Sequence, residues 1–450
     1  MNSPDDPQLL RLFQKAAPAS FFVELVRHHG YHFHDGIYTC AVVVWLMIWQ
    51  RLHGARNLEA AVQHLLRGGA GSLVSGCKRW LDDRVSAGAS AYCEARQRLP
   101  KLIVEAVMKR IVEQLRAEMQ EGWKGLKRPI FVVDGSSLQM QNTGELVGSF
   151  PPGHNQHGKN HWPVMRIVVF HDVWSGLALQ PQWGPMYGDQ AVSEQHLAKE
   201  AMEQLPAEAV LLGDGNFGIF SYAHAVVQSG RGLILRLTRS RAQKIYRGEL
   251  VSGSDNEVVW RSSRWDRRAH PELEEDEAVS GRLVVRANPC RPGELLYLFT
   301  TMTLPAAEIL EIYGLRWNVE TDLRSLKRRV GLHQLRSKST EMAEKELLSA
   351  IAAYNLTRAV MCLAARRANV TPRQLSFSFV QTVVEAALPG LDQAANDAEY
   401  QQRLDRMLRF AARGKLPKRS RRRCYPREVW SHGSQFPKRR RCVEVTGEVK

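Results

Sequence analysis

The chain has 450 residues, 44% hydrophobic and 24% charged, a composition that excludes a wholly disordered, collagenous or disulfide-knot protein. Such a length exceeds one ordinary hydrophobic core and predicts roughly two to four domains. With 62 Lys+Arg against 46 Asp+Glu, the net charge is +16, which favours a polyanionic partner, either nucleic acid or an anionic membrane.

Seven cysteines, at 40, 77, 93, 290, 362, 424 and 442, form no C-x-x-C pair, and their number is odd. A reduced, cytosolic setting fits better than a disulfide framework. The opening MNSPDDPQ is acidic and lacks the basic and apolar regions of a signal peptide. The longest apolar run, Cys40–Trp49, is too short for a membrane span of ~20 residues. Its Trp45 and Trp49 are expected in the core. No G-x-x-x-x-G-K-[ST] loop occurs, so ATP-driven chemistry has no phosphate cradle.

In chain order, residues 1–122 read as helical. Apolar residues recur at helical spacing, a glycine-rich loop spans Gly68–Gly76, and helices are expected near Ala87–Leu99 and Leu102–Met119. From Pro129 the period changes. Ile130–Val133, Val164–His171 and Leu177–Trp183 are strand candidates, followed by a helix at Ala191–Gln204 and a strand at Ala209–Leu212. A helix at Phe217–Gln228 and a strand at Gly232–Leu237 complete the run. This order predicts a mixed sheet with a hairpin meander and a crossover unit. Residues 239–300 read as a β-rich insertion with pieces at Glu257–Arg261, Arg282–Arg286 and Leu295–Thr300. Long helices at Ala306–Val330 and Thr340–Ala368 follow. From Arg413 to Arg441 twelve cations face one acid, Glu428. That basic tail is expected to be a solvated arm able to order on phosphates.

Asp134 and Asp214 each end an apolar strand and precede glycine. Asp-Gly is also ordinary turn chemistry, but in an open α/β sheet functional groups gather at strand ends. Two carboxylates there could bind divalent metals through oxygen. A third is offered by the helix at 306–330, whose pattern is Tyr313-x2-Arg316-x3-Glu320-x6-Lys327. On a helical wheel Arg324 joins this polar stripe, Asp322 points away, and Ile312, Val319, Leu323 and Val330 form the buried stripe. A solvated face with intrahelical ion pairs is the plainer alternative. Two histidine groups, at 28, 29, 32 and 34 and at 154, 157 and 161, lack familiar zinc spacing. Surface or DNA contact is the better expectation for the second.

The Y-x2-R-x3-E-x6-K pattern, preceded by Asp134 and Asp214, resembles the DDE transposases, and more narrowly the bacterial insertion-sequence transposases of the insertion element four family. Ser90–Arg96 (SAYCEAR) with Leu99-Pro100, Phe131–Ser136 (FVVDGS) and Leu212–Phe217 (LGDGNF) carry further likeness. The resemblance implies an α/β fold: a ribonuclease H-like mixed sheet with a β-rich insertion, preceded by an all-helical N-terminal domain. The implied divisions are a DNA-binding or accessory domain at 1–122, a catalytic domain at 123–238 and 301–370, the insertion at 239–300, and a C-terminal helical segment with basic tail at 371–450.

The resemblance also implies an activity. This is cut-and-paste transposition by phosphodiester hydrolysis at transposon ends and strand transfer into target DNA. Asp134, Asp214 and Glu320 would hold two Mg²⁺ ions, replaceable by Mn²⁺. Tyr313, Arg316, Arg324 and Lys327 would contact DNA, Arg324 on the wheel argument alone. Tyr297 is the nearest match to the aromatic that stacks a flipped base in relatives. The implied partners are double-stranded DNA, as terminal inverted repeats and target, and a second copy in a homodimer on DNA. The setting would be the bacterial cytoplasm at the nucleoid. A catalytically inactive DNA-binding relative and a nonspecific metal-dependent nuclease are the competing readings.

Overall fold

The computed structural model describes residues 8–31, 36–54, 57–119, 128–155, 158–288, 293–333, 335–392 and 396–417. Among them, the N-terminal part is helical: α1 (Gln8–Ala16), α2 (Ala19–His28), α3 (Cys40–Leu52), α4 (Leu58–Leu66), α5 (Lys78–Leu81), α6 (Ser90–Arg98) and α7 (Lys101–Met119). In α3 the sequence CAVVVWLMIWQRL is apolar nearly all round, and Thr39 caps it by accepting from the Val42 N–H at 3.4 Å. A helix of this kind needs partners on every side. Trp45 is fully buried and donates its indole N–H to Gly69 O at 2.7 Å, while Trp49 is partly buried and stacks on His64.

The strands are β1 (Ile130–Gln139), β2 (His154–Asn155), β3 (Gly158–Lys159), β4 (Val164–Asp172), β5 (Gln182–Pro185), β6 (Val210–Gly213), β7 (Gly232–Leu237), β8 (Asp255–Arg261), β9 (Ala278–Ala287) and β10 (Leu295–Thr300). All but β2 and β3 form one eight-stranded sheet, in the order β5-β4-β1-β6-β7-β10-β9-β8. β1, β6 and β7 run parallel, and the other neighbours are antiparallel. This is the expected mixed, ribonuclease H-like sheet. Between the strands lie α8 (Gly144–Ser149), α9 (Glu194–Ala201), α10 (Phe220–Gln228), α11 (Arg239–Ile245) and α12 (Arg264–Ala269). The α9 and α10 segments make the crossovers that the parallel strands require.

Several expectations are corrected. β1 does not stop at Asp134-Gly135 but continues to Gln139, because its pairing with β4 runs unbroken to Gln139↔Val164. The strand expected at Leu177–Trp183 forms only from Gln182. At Ala178 a single bridge to His171 of β4 remains, and the outward-facing backbone groups are paired by the buried Asn355 side chain, which accepts from the Ala178 N–H and donates to its carbonyl, both at 2.8 Å. The β-rich segment at 239–300 lies on the same sheet, since β10 pairs with β7 and β9 and β8 follow it.

The helix expected at 306–330 is broken. It forms as α13 (Ala306–Gly314), a 3₁₀ turn at Leu315–Trp317, and α14 (Asn318–Arg328). The following α15 (Thr340–Arg367) is the central post of the molecule. By length and composition it could cross a membrane, but 94% of its most apolar window is buried inside the protein. Both α3 and α7 pack on it, so the N-terminal helices share its core.

Two devices seal this seam. Lys345, fully buried, donates its ammonium to the carbonyls of Arg96, Gln97 and Leu99 at the end of α6 and pairs with Glu341 at 3.0 Å. Arg51 of α3 pairs with Glu346 at 2.7 Å, and Glu346 also accepts from the N–H groups of Arg336 and Ser337. Helices α16 (Phe377–Asp392) and α17 (Asp397–Ala411) then pack together on α15. The basic tail from Lys418, with His32, His34 and His157, lies outside the described residues.

Candidate active site

The two aspartates meet through strand register. β1 and β6 pair in parallel as Ile130↔Val210, Phe131↔Leu211 and Val132↔Leu212. Continuing that register by two residues sets Asp134 beside Asp214, at the C-terminal end of the parallel pair, where an open sheet offers its crevice. Asp134 is in the strand and accepts from the Gly135 N–H at 2.8 Å. Asp214 does open a turn, accepting from the Asn216 N–H at 2.8 Å. The turn reading therefore fails at the first aspartate and holds at the second.

The charges around Asp134 act on one another. Burial pushes the Asp134 carboxyl up to about 6, and the carboxylates of Asp214 and Glu194 add to the rise. The Gly135 N–H and the Arg316 guanidinium act against it. Arg316 is 7% exposed, within the 3₁₀ turn that joins α13 to α14. It reaches Glu320 at 3.6 Å, its guanidinium carbon lies 4.7 Å from the Trp317 ring centre, and its buried Nε has no hydrogen-bond partner. Burial also lifts the Tyr313 hydroxyl to about 12, with Arg316 and Arg236 pulling it down and Asp214 adding to the rise. Tyr313, Arg316, Asp134 and Asp214 thus feel one another's charge, and Arg316 in turn pairs with Glu320.

The rest of the helix sorts cleanly. Ile312, Val319, Leu323 and Val330 are buried as expected. Asp322 is sealed in the core between Arg358 and Arg373, which removes it as a ligand candidate. Arg324 is exposed and Lys327 half-buried, and burial holds the Lys327 ammonium below its ordinary value. Neither cation has an ion-pair partner among the described residues.

Tyr297, expected to stack a base, is 7% exposed in the middle of β10, between β7 and β9. Little of its ring is open for a base to stack on. The exposed aromatic of the signature segment is Trp317, 49% exposed. Three residues of the site escaped sequence reasoning: Trp317, Arg236 and Glu194. None belongs to the fourfold pattern, and only the packing of distant segments brings Arg236 and Glu194 in.

The donor set is all carboxylate oxygen, which suits a hard divalent ion. Among the described residues no three His, Cys, Asp or Glu side chains stand close enough to share an ion, and Glu320, with a 41% exposed side chain, is paired with Arg316. The exposed His154 and His161 form no metal cluster, and His161 is hydrogen-bonded to Asn142 instead.

Strand-end acids on a ribonuclease H-like sheet, beside a buried arginine with an unmet donor, point to the class of metal-dependent phosphodiester enzymes. The family model of the Transposase DDE domain matches residues 125–356, more than half of the chain, and the chain belongs to that family. It is 26% identical over 363 residues to Transposase InsG for insertion sequence element IS4 from Escherichia coli (strain K12), which covers 79% of each chain. A solved piggyBac transposase synaptic complex with hairpin DNA aligns over 97% of this chain and 88% of that chain, at 12% identity and a TM-score of 0.45. The protein is an IS4-type DDE transposase, an enzyme that acts on DNA and depends on divalent metal.

Proposed function

We propose that this transposase moves an insertion sequence by cut and paste, and the observation that carries the reading is the register placing Asp134 beside Asp214. Asp134, Asp214 and Glu320 hold two Mg²⁺ ions, with Mn²⁺ able to replace them. When bound, such ions supply an activated water or 3′-hydroxyl and stabilise the leaving oxygen. Glu320 joins the aspartates once a phosphate takes over Arg316, whose unpartnered Nε offers the donor. Tyr313, Arg316, Arg324 and Lys327 hold the scissile strand, and Arg236 adds a cation beside Tyr313.

In this reading residues 1–122 and the C-terminal segment with its basic tail, 371–450, grip the terminal inverted repeats. Residues 123–238 and 301–370 cut and join, and 239–300 extends their sheet. The working form is a homodimer on DNA at the nucleoid of a bacterial cytoplasm.

The test is magnesium-dependent cleavage of the element's own terminal repeats, followed by strand transfer. Asp134→Ala, Asp214→Ala and Glu320→Ala are each expected to abolish cleavage and leave repeat binding intact, since the ligands act as a unit. Equal cutting of any duplex would favour a nonspecific nuclease, and repeat binding without cutting would favour an inactive relative. A full-rate Glu320→Ala enzyme would overturn the third-ligand assignment.

A further inference from the structure

Glu194 has no role in the three-acid scheme, yet it stands inside the site. It is the first residue of α9, whose cap Ser193 accepts from the His196 N–H at 3.1 Å. Its Oε2 accepts from the Asn216 side-chain amide at 2.5 Å, and the Asn216 N–H in turn donates to Asp214 Oδ1 at 2.8 Å. One oxygen of Glu194 therefore ends a relay that holds Asp214. The other, Oε1, accepts no hydrogen bond among the described residues and lies over the backbone of Gly135, next to Asp134.

Gly135 shows how close that approach is. The residue sits in the extended β1 strand, with no positive φ to call for glycine. A Cβ built on it would overlap the Glu194 carboxyl group. An acid at the start of α9 is favourable to the helix dipole wherever it points. The dipole does not account for a carboxyl laid across a strand, nor for a strand that clears space for it.

We infer that Glu194 is a positioning residue of the metal centre: it braces Asp214 through Asn216 and sets a further carboxylate over Gly135, beside the aspartates rather than among the ligands of their ion. The inference rests on the reading that those aspartates bind the ion. It also gives the Asp-Gly pair a meaning other than a turn: the glycine is the clearance for the Glu194 carboxylate.

The full-length protein without DNA is titrated with Mn²⁺, and free Mn²⁺ is read by electron paramagnetic resonance. Glu194→Gln keeps an acceptor for Asn216 and removes the charge. It is expected to weaken Mn²⁺ binding by about 10–100-fold, the range for groups that support metal ligands, without lowering the melting temperature of the metal-free protein. Gly135→Ala is expected to weaken binding similarly by displacing the carboxyl, and to have no further effect when added to Glu194→Ala. Asp134→Asn serves as the reference for loss of a direct ligand. Binding by Glu194→Gln within about twofold of wild type, with Asp134→Asn impaired, would overturn the inference alone. Unchanged binding in Asp134→Asn would overturn the metal reading beneath it.

Discussion

Asp134→Asn should make the metal-free protein more stable while destroying its activity. Burial, with help from the carboxylates of Asp214 and Glu194, raises the Asp134 carboxyl from an ordinary 3.8 to about 6. At about 1.36 kcal/mol per pH unit that rise corresponds to ~3 kcal/mol, and residual contact with water reduces the expectation to about 1–3 kcal/mol. The folded carboxyl holds its proton more tightly than the unfolded one. Stability from this group is therefore fully present below the unfolded value, near 4, and lost as the pH rises through about 6. Asparagine removes the charge and keeps an oxygen for the Gly135 N–H.

In EDTA at about pH 7.5 the variant should unfold at higher urea or temperature than wild type, and the gap should close as the pH falls towards 4. Adding Mn²⁺ should narrow it from the other side, because only wild type gains stability from binding. An Asp134→Asn protein no more stable than wild type in EDTA, or a gap indifferent to pH, would refute the argument.

Asp322→Ala, which strands Arg358 and Arg373 in the core, should cost about 3–5 kcal/mol of folding stability in urea denaturation. A folded, stable variant that loses only cleavage would return Asp322 to the list of ligands. Lys327→Ala and Arg324→Ala should leave the melting temperature nearly unmoved and reduce cleavage at the transposon end by ~10–150-fold, the effect of losing a charge-assisted phosphate contact. Lowered stability with intact strand transfer in Lys327→Ala would mean that the cation braces the helix instead. Deleting Lys418–Lys450 spares the Leu375↔Lys415 bridge and should flatten the salt dependence of DNA affinity by ~0.9 in log–log slope per lost phosphate contact. An unchanged slope would make the tail a spectator.

What was legible in the sequence is what local pattern controls. Gly232–Leu237 forms the expected strand residue for residue, and the apolar stripe of the 306–330 segment buries as its spacing requires, although the helix itself breaks at Leu315. Asp322 was correctly set apart from the polar stripe, but the two arginines that enclose it come from α15 and the turn that follows. Features decided by distant chain were not legible. β1 passes through Asp-Gly because β4 pairs with it to the end, and Ala178 keeps one bridge to β4 while Asn355 closes its other side. Tyr297 looked available until β7 and β9 closed around it. Glu194 reads as an ordinary first-turn acid until the fold lays it across Gly135.

The buried ammonium of Lys345 sets a mechanical condition on any motion between α6 and α15. Three of its acceptors are backbone carbonyls, at Arg96, Gln97 and Leu99, and no side-chain substitution at those positions removes them. If the N-terminal helices swung away from α15, that charge would be left with Glu341 alone, at a cost of several kcal/mol. Parting the helices from α15 therefore means stripping an ammonium of three acceptors at once, so this seam opens only at that cost.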